Sequence, residues 1–120
     1  MAAVTTQTSP YVDKLITDDD ANETVEANVL TGAATCYIFD GNNGNNTATT
    51  YLKVWNHTGP TNNSTEFDIL IMLPGLTRQT VTVGGGIALP SGLSFIATQG
   101  AALANISGPL NPVTVKIMAE

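Results

Sequence analysis

The feature that most constrains this chain is a rhythm. Short runs rich in Val, Ile, Thr and aromatic residues recur every ten residues or so, separated by clusters of Asn, Gly and Pro. Runs of five to seven residues with a period of two make half-buried strands, and the punctuation makes turns. Helical periodicity is nearly absent, so the pattern predicts an all-β antiparallel β-sandwich of jelly-roll or Ig-like type. Strands are expected at 24–30, 34–39, 49–55, 67–73, 80–83, 93–98 and 113–118. The 120 residues suit one domain with one modest core. Residues 1–23, with a thin pattern ending in the acidic run Asp18-Asp19-Asp20, are expected to form an extended N-terminal arm, and 24–120 the sandwich.

Only 12% of residues are charged, and the net charge is −6. Lys14, Lys53, Arg78 and Lys116 are scattered, whereas phosphate neutralisation needs clustered cations, so nucleic acid is not an expected partner, nor is an anionic membrane. Cys36 is the only cysteine. It can form no internal disulfide, which suits assembly in a reducing cytoplasm, and it reads as a small buried hydrophobe. The opening Met1-Ala2-Ala3-Val4 lacks a basic region followed by an apolar run and predicts no leader peptide.

Alternation assigns faces. In 50–55, Lys53 is expected in water, which turns Leu52 and Val54 inward and leaves Tyr51 and Trp55 outside. In 67–73, Asp68 sets Phe67, Ile69, Ile71 and Leu73 inside and Leu70 and Met72 outside. In 113–118, Val113, Val115 and Ile117 point inward and Met118 outward. If Tyr51, Trp55, Leu70, Met72 and Met118 cluster, the patch is too apolar for a free monomer. Either a protein partner covers it, or the arm or a further strand does; Tyr11, Val12, Leu15 and Ile16 of the arm are expected to belong with these residues to the partner interface.

Candidate chemistry is sparse. His57, the single histidine, has no Ser in a nucleophile-elbow context and reads as a solvated loop residue. Asp18, Asp20, Asn22 and Glu23 resemble the start of a calcium loop but lack its central Gly and distal Glu, so a solvated acidic turn is expected and no metal or other cofactor. Gly84-Gly85-Gly86 is followed by no Lys-Ser or Lys-Thr and reads as a bend at a sheet edge. Asp40, Glu66, Asp68 and Glu26 are the acids a glycan hydrolase would have to draw on, and none lies in a recognisable motif. No enzyme is expected.

The segments 50–56 (Thr-Tyr-Leu-Lys-Val-Trp-Asn), 69–75 (Ile-Leu-Ile-Met-Leu-Pro-Gly), 85–89 (Gly-Gly-Ile-Ala-Leu), 91–98 and 113–117, with the turn Gly100-Ala101-Ala102, resemble small β-sandwich virion proteins of tailed bacteriophages. Those chains carry a Tyr-Leu-Lys-Leu-Tyr-like strand, a strand ending in Pro, a Gly-Ile start to the next and a Gly-rich Ala-Ala turn before the last. The likeness spans roughly 34–119 and lies in strands and turns, not in a catalytic signature. It implies a virion component made in the host cytoplasm. The first expectation is a decoration or cement protein on the capsid surface, binding the major capsid protein and itself, as a trimer or another homo-oligomer. The second is a tail, baseplate, neck or fibre module whose Asn-rich loops touch another tail protein or a host glycan.

Overall fold

The computed structural model of the chain describes residues 3–7 and 14–120. Among these, eight strands follow in order: β1 (Val4–Gln7), β2 (Lys14–Ala21), β3 (Ala34–Asn42), β4 (Thr50–Asn56), β5 (Ile69–Leu73), β6 (Arg78–Leu89), β7 (Leu93–Thr98) and β8 (Val113–Ala119). They build a five-stranded sheet ordered β1-β2-β8-β3-β6 and a three-stranded sheet ordered β5-β4-β7. Every pairing is antiparallel. The expected sandwich is the fold.

The inner faces meet in one apolar core. Leu52 and Val54 of β4, Ile71 and Leu73 of β5, and Phe95 of β7 oppose Cys36 and Phe39 of β3 and Val113, Val115 and Ile117 of β8. Burying each large side chain contributes about 1.5–3 kcal/mol, which offsets the entropy of ordering a small domain. Burial also pushes the Cys36 thiol up to about 12, so it stays protonated and inert.

Three expectations need correction. The stretch 14–21 is extended but is no free arm: β2 lies between β1 and β8, and Ile16 is fully buried in the core. Alternation there was disguised because Asp18 takes the inward place that an apolar residue would normally mark. Second, 24–30 is not a strand. It runs along the outer edge of β7 through a bridge between Glu26 and Phe95 and a bond from Val29 N to Leu93 O at 2.9 Å. Positive φ at Asn28 (48°) and Thr31 (51°) breaks the extended conformation. Third, Phe67 brings its ring to 5.5 Å from Lys53 Nζ, and Lys53 lies on the outer face. The three-glycine run does form the expected edge bend: pairing jumps from Ile87 opposite Cys36 to Thr82 opposite Ile38. Gly85 and Gly86 hold φ of 82° and 80°, and a Cβ on Gly86 would strike Thr35 and the Tyr37 ring.

Asp18 is buried completely, with Oδ1 accepting from Asp20 N at 3.0 Å and Oδ2 without a hydrogen-bond partner. Desolvation raises its pKa above the usual 3.8, the Asp20 amide opposes this, and the Glu26 and Asp20 charges add to it. A carboxyl raised on folding contributes stability that is present below the ordinary carboxylate range and lost as pH rises through the folded value. Asp18→Asn is therefore expected to stabilise the domain by about 1 kcal/mol at neutral pH and to flatten the gain seen on mild acidification. Thermal unfolding of both proteins at pH 7 and pH 5 measures this. Equal melting at pH 7 would mean that the buried charge costs nothing.

Candidate docking surfaces

The residues expected to form one outer patch are divided between the two layers. Leu15 and Met118 are cross-strand neighbours on the five-stranded sheet, and Ile38, not anticipated from the sequence, is the next in the row. Leu70 and Met72 lie on the three-stranded sheet opposite Lys53 and Tyr51. Met118 therefore cannot join Leu70 and Met72. Ile16 and Trp55 belong to neither surface, since both are buried. Tyr11 and Val12 lie outside the described residues.

Trp55 does face outward from the sheet, as alternation requires, but the loop after β4 folds over it and Thr65 O accepts the indole N–H at 2.8 Å. Lys53 is covered in the same way by the loop 99–112. Its ammonium donates to Ala102 O at 2.8 Å and Asn105 O at 3.0 Å, and burial lowers its pKa from the ordinary lysine value. With Lys53, Trp55, Ile96 and Thr98 buried, the outer face of β4 and β7 is closed except at half-buried Tyr51, beside which Leu70 and Met72 remain 42% and 55% exposed.

On the other layer, Leu15, Ile38 and Met118 floor a groove of about 290 Å³. Its charged end is built by Lys116, Asp40 and Arg78. Arg78 Nε lies 3.0 Å from both Asp40 oxygens and Thr80 Oγ1 donates to Oδ1 at 2.8 Å. The Arg78 hydrogen bond is the main reason the Asp40 carboxyl lies below its usual range.

The sheet edges differ as much as the faces. The β7 edge is occupied by 22–30, and β6 is blunted by its glycine bulge, threonines and Arg78. Edge strand β5 reads Ile-Leu-Ile-Met-Leu, with no charge, Pro or Gly. Among the described residues no backbone bonds to it on the side away from β4.

The end of the sandwich carries a cavity of about 460 Å³ lined by Asn45, Thr47, Thr49, Gln99, Pro109 and Leu110 among others, none of them titratable. Its frame is Asn43, fully buried, whose Nδ2 donates to Ala48 O (3.0 Å) and Leu73 O (2.9 Å) while Oδ1 accepts from Asn46 Nδ2 and Thr50 Oγ1. Asn tolerates positive φ, yet none of the asparagines at 42–46 has one, and their side-chain amides build the loop instead.

The suspected catalytic groups do not converge. His57 is exposed and its Nδ1 accepts from Gly59 N. Asp40 sits on one layer, while Asp68, which accepts from Asn56 N, adjoins the other. Asn22 Oδ1 is turned to Thr24 N, and no group of three acidic, His or Cys side chains among the described residues is placed to hold a metal. A scan against protein-family models gives no match, and searches of curated proteins and of solved structures give none either.

Proposed function

We propose that this chain is a structural protein of a tailed-bacteriophage virion, without enzymatic activity or cofactor, acting as a capsid decoration or cement protein on the major capsid protein shell. The observation that carries the reading is the pair of apolar surfaces on opposite layers, the half-buried row Leu15–Ile38–Met118 that floors a groove and the exposed pair Leu70–Met72. A subunit with two contact faces can bridge two neighbours, which is what strengthening a shell against internal pressure requires. The sequence resemblance points the same way, and the acidic balance disfavours nucleic acid and membrane as partners.

The test is co-sedimentation of purified protein with shells of the phage that encodes it. Saturable binding in hundreds of copies per particle is expected, with Met118→Asp and Met72→Asp each weakening it while leaving the fold intact. Absence of binding by the wild-type chain overturns the proposal. The rival reading, a tail or fibre module contacting a glycan, is favoured by the cavity at 45–49, whose neutral amides and hydroxyls suit sugar hydroxyls. A handful of copies per virion together with binding on a glycan array would select it.

A further inference from the structure

We propose that β5 is a self-pairing edge, by which two copies of the chain join antiparallel along Ile69–Leu73 about a twofold axis at Ile71. This deepens the reading of the chain as an assembly subunit by naming its homotypic contact, and it rests on that reading for its biological use. Two three-stranded sheets, each ordered β5-β4-β7, would become one continuous six-stranded sheet.

An exposed strand edge is a row of unpaired amides and carbonyls, and proteins that stay monomeric block such edges with charge, Pro, bulges or a covering segment. Among the described residues this molecule uses those devices on β6 and β7, whereas β5 carries no charge, Pro or bulge and is covered only at its Leu73 end, where Asn43 Nδ2 donates to Leu73 O. The strand is also self-complementary. In the twofold register Ile69 faces Leu73 of the second copy, Leu70 faces its Met72, and Ile71 faces its own equivalent. Leu70 and Met72, the exposed pair on the outer face, would cover one another, and half-buried Ile69 would be closed over beside Leu73, which is already buried within each copy.

Charge selects the same arrangement. The residues that bound β5 are Asp68 on one side and Pro74 on the other. Antiparallel pairing sets each Asp68 against a Pro74, whereas parallel pairing would stack carboxylate on carboxylate. The −6 charge on each copy opposes approach as a whole, so the contact should tighten with added salt. Five residues bury less than a standard interface of about 1,600 Å², so the free dimer should be weak and become effective only where copies are concentrated on a surface.

Sedimentation velocity on the full chain, from micromolar to millimolar concentration, should show a monomer–dimer equilibrium that strengthens with salt. Met72→Lys, checked for folding by circular dichroism, should weaken it by roughly tenfold or more. The register is read by oxidation of Leu70→Cys, Met72→Cys and the double variant. Directly opposed positions stand about 5 Å apart at Cβ, so only the double variant should yield crosslinked dimer, the singles being offset across the axis. Cys36 is buried and does not compete. A chain that stays monomeric throughout, or a double variant that crosslinks no better than the singles, overturns the inference. The two proposals fail separately: a dimer in this register that ignores shells leaves β5 pairing standing and removes the decoration reading, and a shell-binding monomer does the opposite.

Discussion

Asn43→Ala is expected to destabilise the domain by about 3–6 kcal/mol, a large part of the 5–15 kcal/mol that a protein of this kind has to lose. The amide is fully buried and spends every group it has: two N–H bonds on the carbonyls of Ala48 and Leu73, and an oxygen shared by Asn46 Nδ2 and Thr50 Oγ1. Alanine leaves two buried carbonyls and two buried donors without that partner, and each unmet group costs about 1–3 kcal/mol before neighbours relax. The damage spreads, because Asn46 in turn holds Asn111 through both its amide oxygen and its nitrogen and so ties the strand β3 end to the segment before β8. Asn45→Ala, two positions away on an exposed residue whose side chain makes no hydrogen bond among the described residues, is expected to cost under about 0.5 kcal/mol. Urea titrations of the two variants beside wild type decide the matter. Similar midpoints for Asn43→Ala and Asn45→Ala would mean that the asparagine frame does not hold this end of the sandwich.

That contrast also shows where the sequence is legible. Six of the seven expected strands matched in place because their apolar residues alternate cleanly, and Leu52, Val54, Ile71, Val115 and Ile117 face the core as the period of two demands. Composition says that 41–46 is a loop, but an Asn beside another Asn looks the same whether it serves as a solvated turn or as a buried hub. What separates Asn43 from Asn45 is the approach of Ala48, Leu73 and Asn46, a tertiary fact with no local signal. Alternation likewise tells which way Lys53, Trp55 and Met118 point, but not what lies above them. Loops close over Lys53 and Trp55, while among the described residues Leu70 and Met72 stay exposed. The candidate surfaces were therefore half legible: Leu70, Met72 and Met118 point outward as alternation requires, but Leu15 joins Met118 through β2 instead of lying on an arm, and the division between two layers follows from strand order, which alternation does not encode.

Asp18 misled in the opposite direction. Three consecutive carboxylates read as a solvated turn because burying even one is costly. The bulge between Asp18 and Ala21 is what permits it, letting Asp19 stay in water while Ile16 and Ala21 flank Asp18 on the inner face. A carboxyl with one unmet oxygen at the junction of β2 and β8 is a weak point in an otherwise apolar core, and it lies on the strand that carries Leu15 to the docking groove.

Lys53→Ala is the substitution that separates pattern from structure most sharply. An alternating strand with a central lysine predicts a solvated side chain and a nearly neutral change. The structure predicts a loss of about 2–4 kcal/mol, because the ammonium donates to Ala102 O and Asn105 O, stands 5.5 Å above the Phe67 ring, and is covered by the loop 99–112. Alanine removes the tie and leaves a hollow beneath the loop. Lys53→Met tests which part matters. It keeps most of the volume and removes the cost of burying a charge, so it should lose roughly half as much if the two carbonyls can turn to water. Thermal melting gives the size of the effect, and hydrogen exchange at 99–107 gives its place: the amides of Gln99 and Asn105, bonded to Ser107 O and Ala102 O, should exchange faster in both variants while those of β8 stay protected in Lys53→Met. A loosened loop would uncover Ile96 and Thr98 and merge them with Leu70 and Met72 into one broad apolar face, so Lys53→Ala should also aggregate at concentrations where the wild-type chain remains soluble. Wild-type melting and unchanged exchange in Lys53→Ala would put the ammonium back in water. The loop would then not bound the β5 surface, and the outer face of the three-stranded sheet would be open from β5 across to β7.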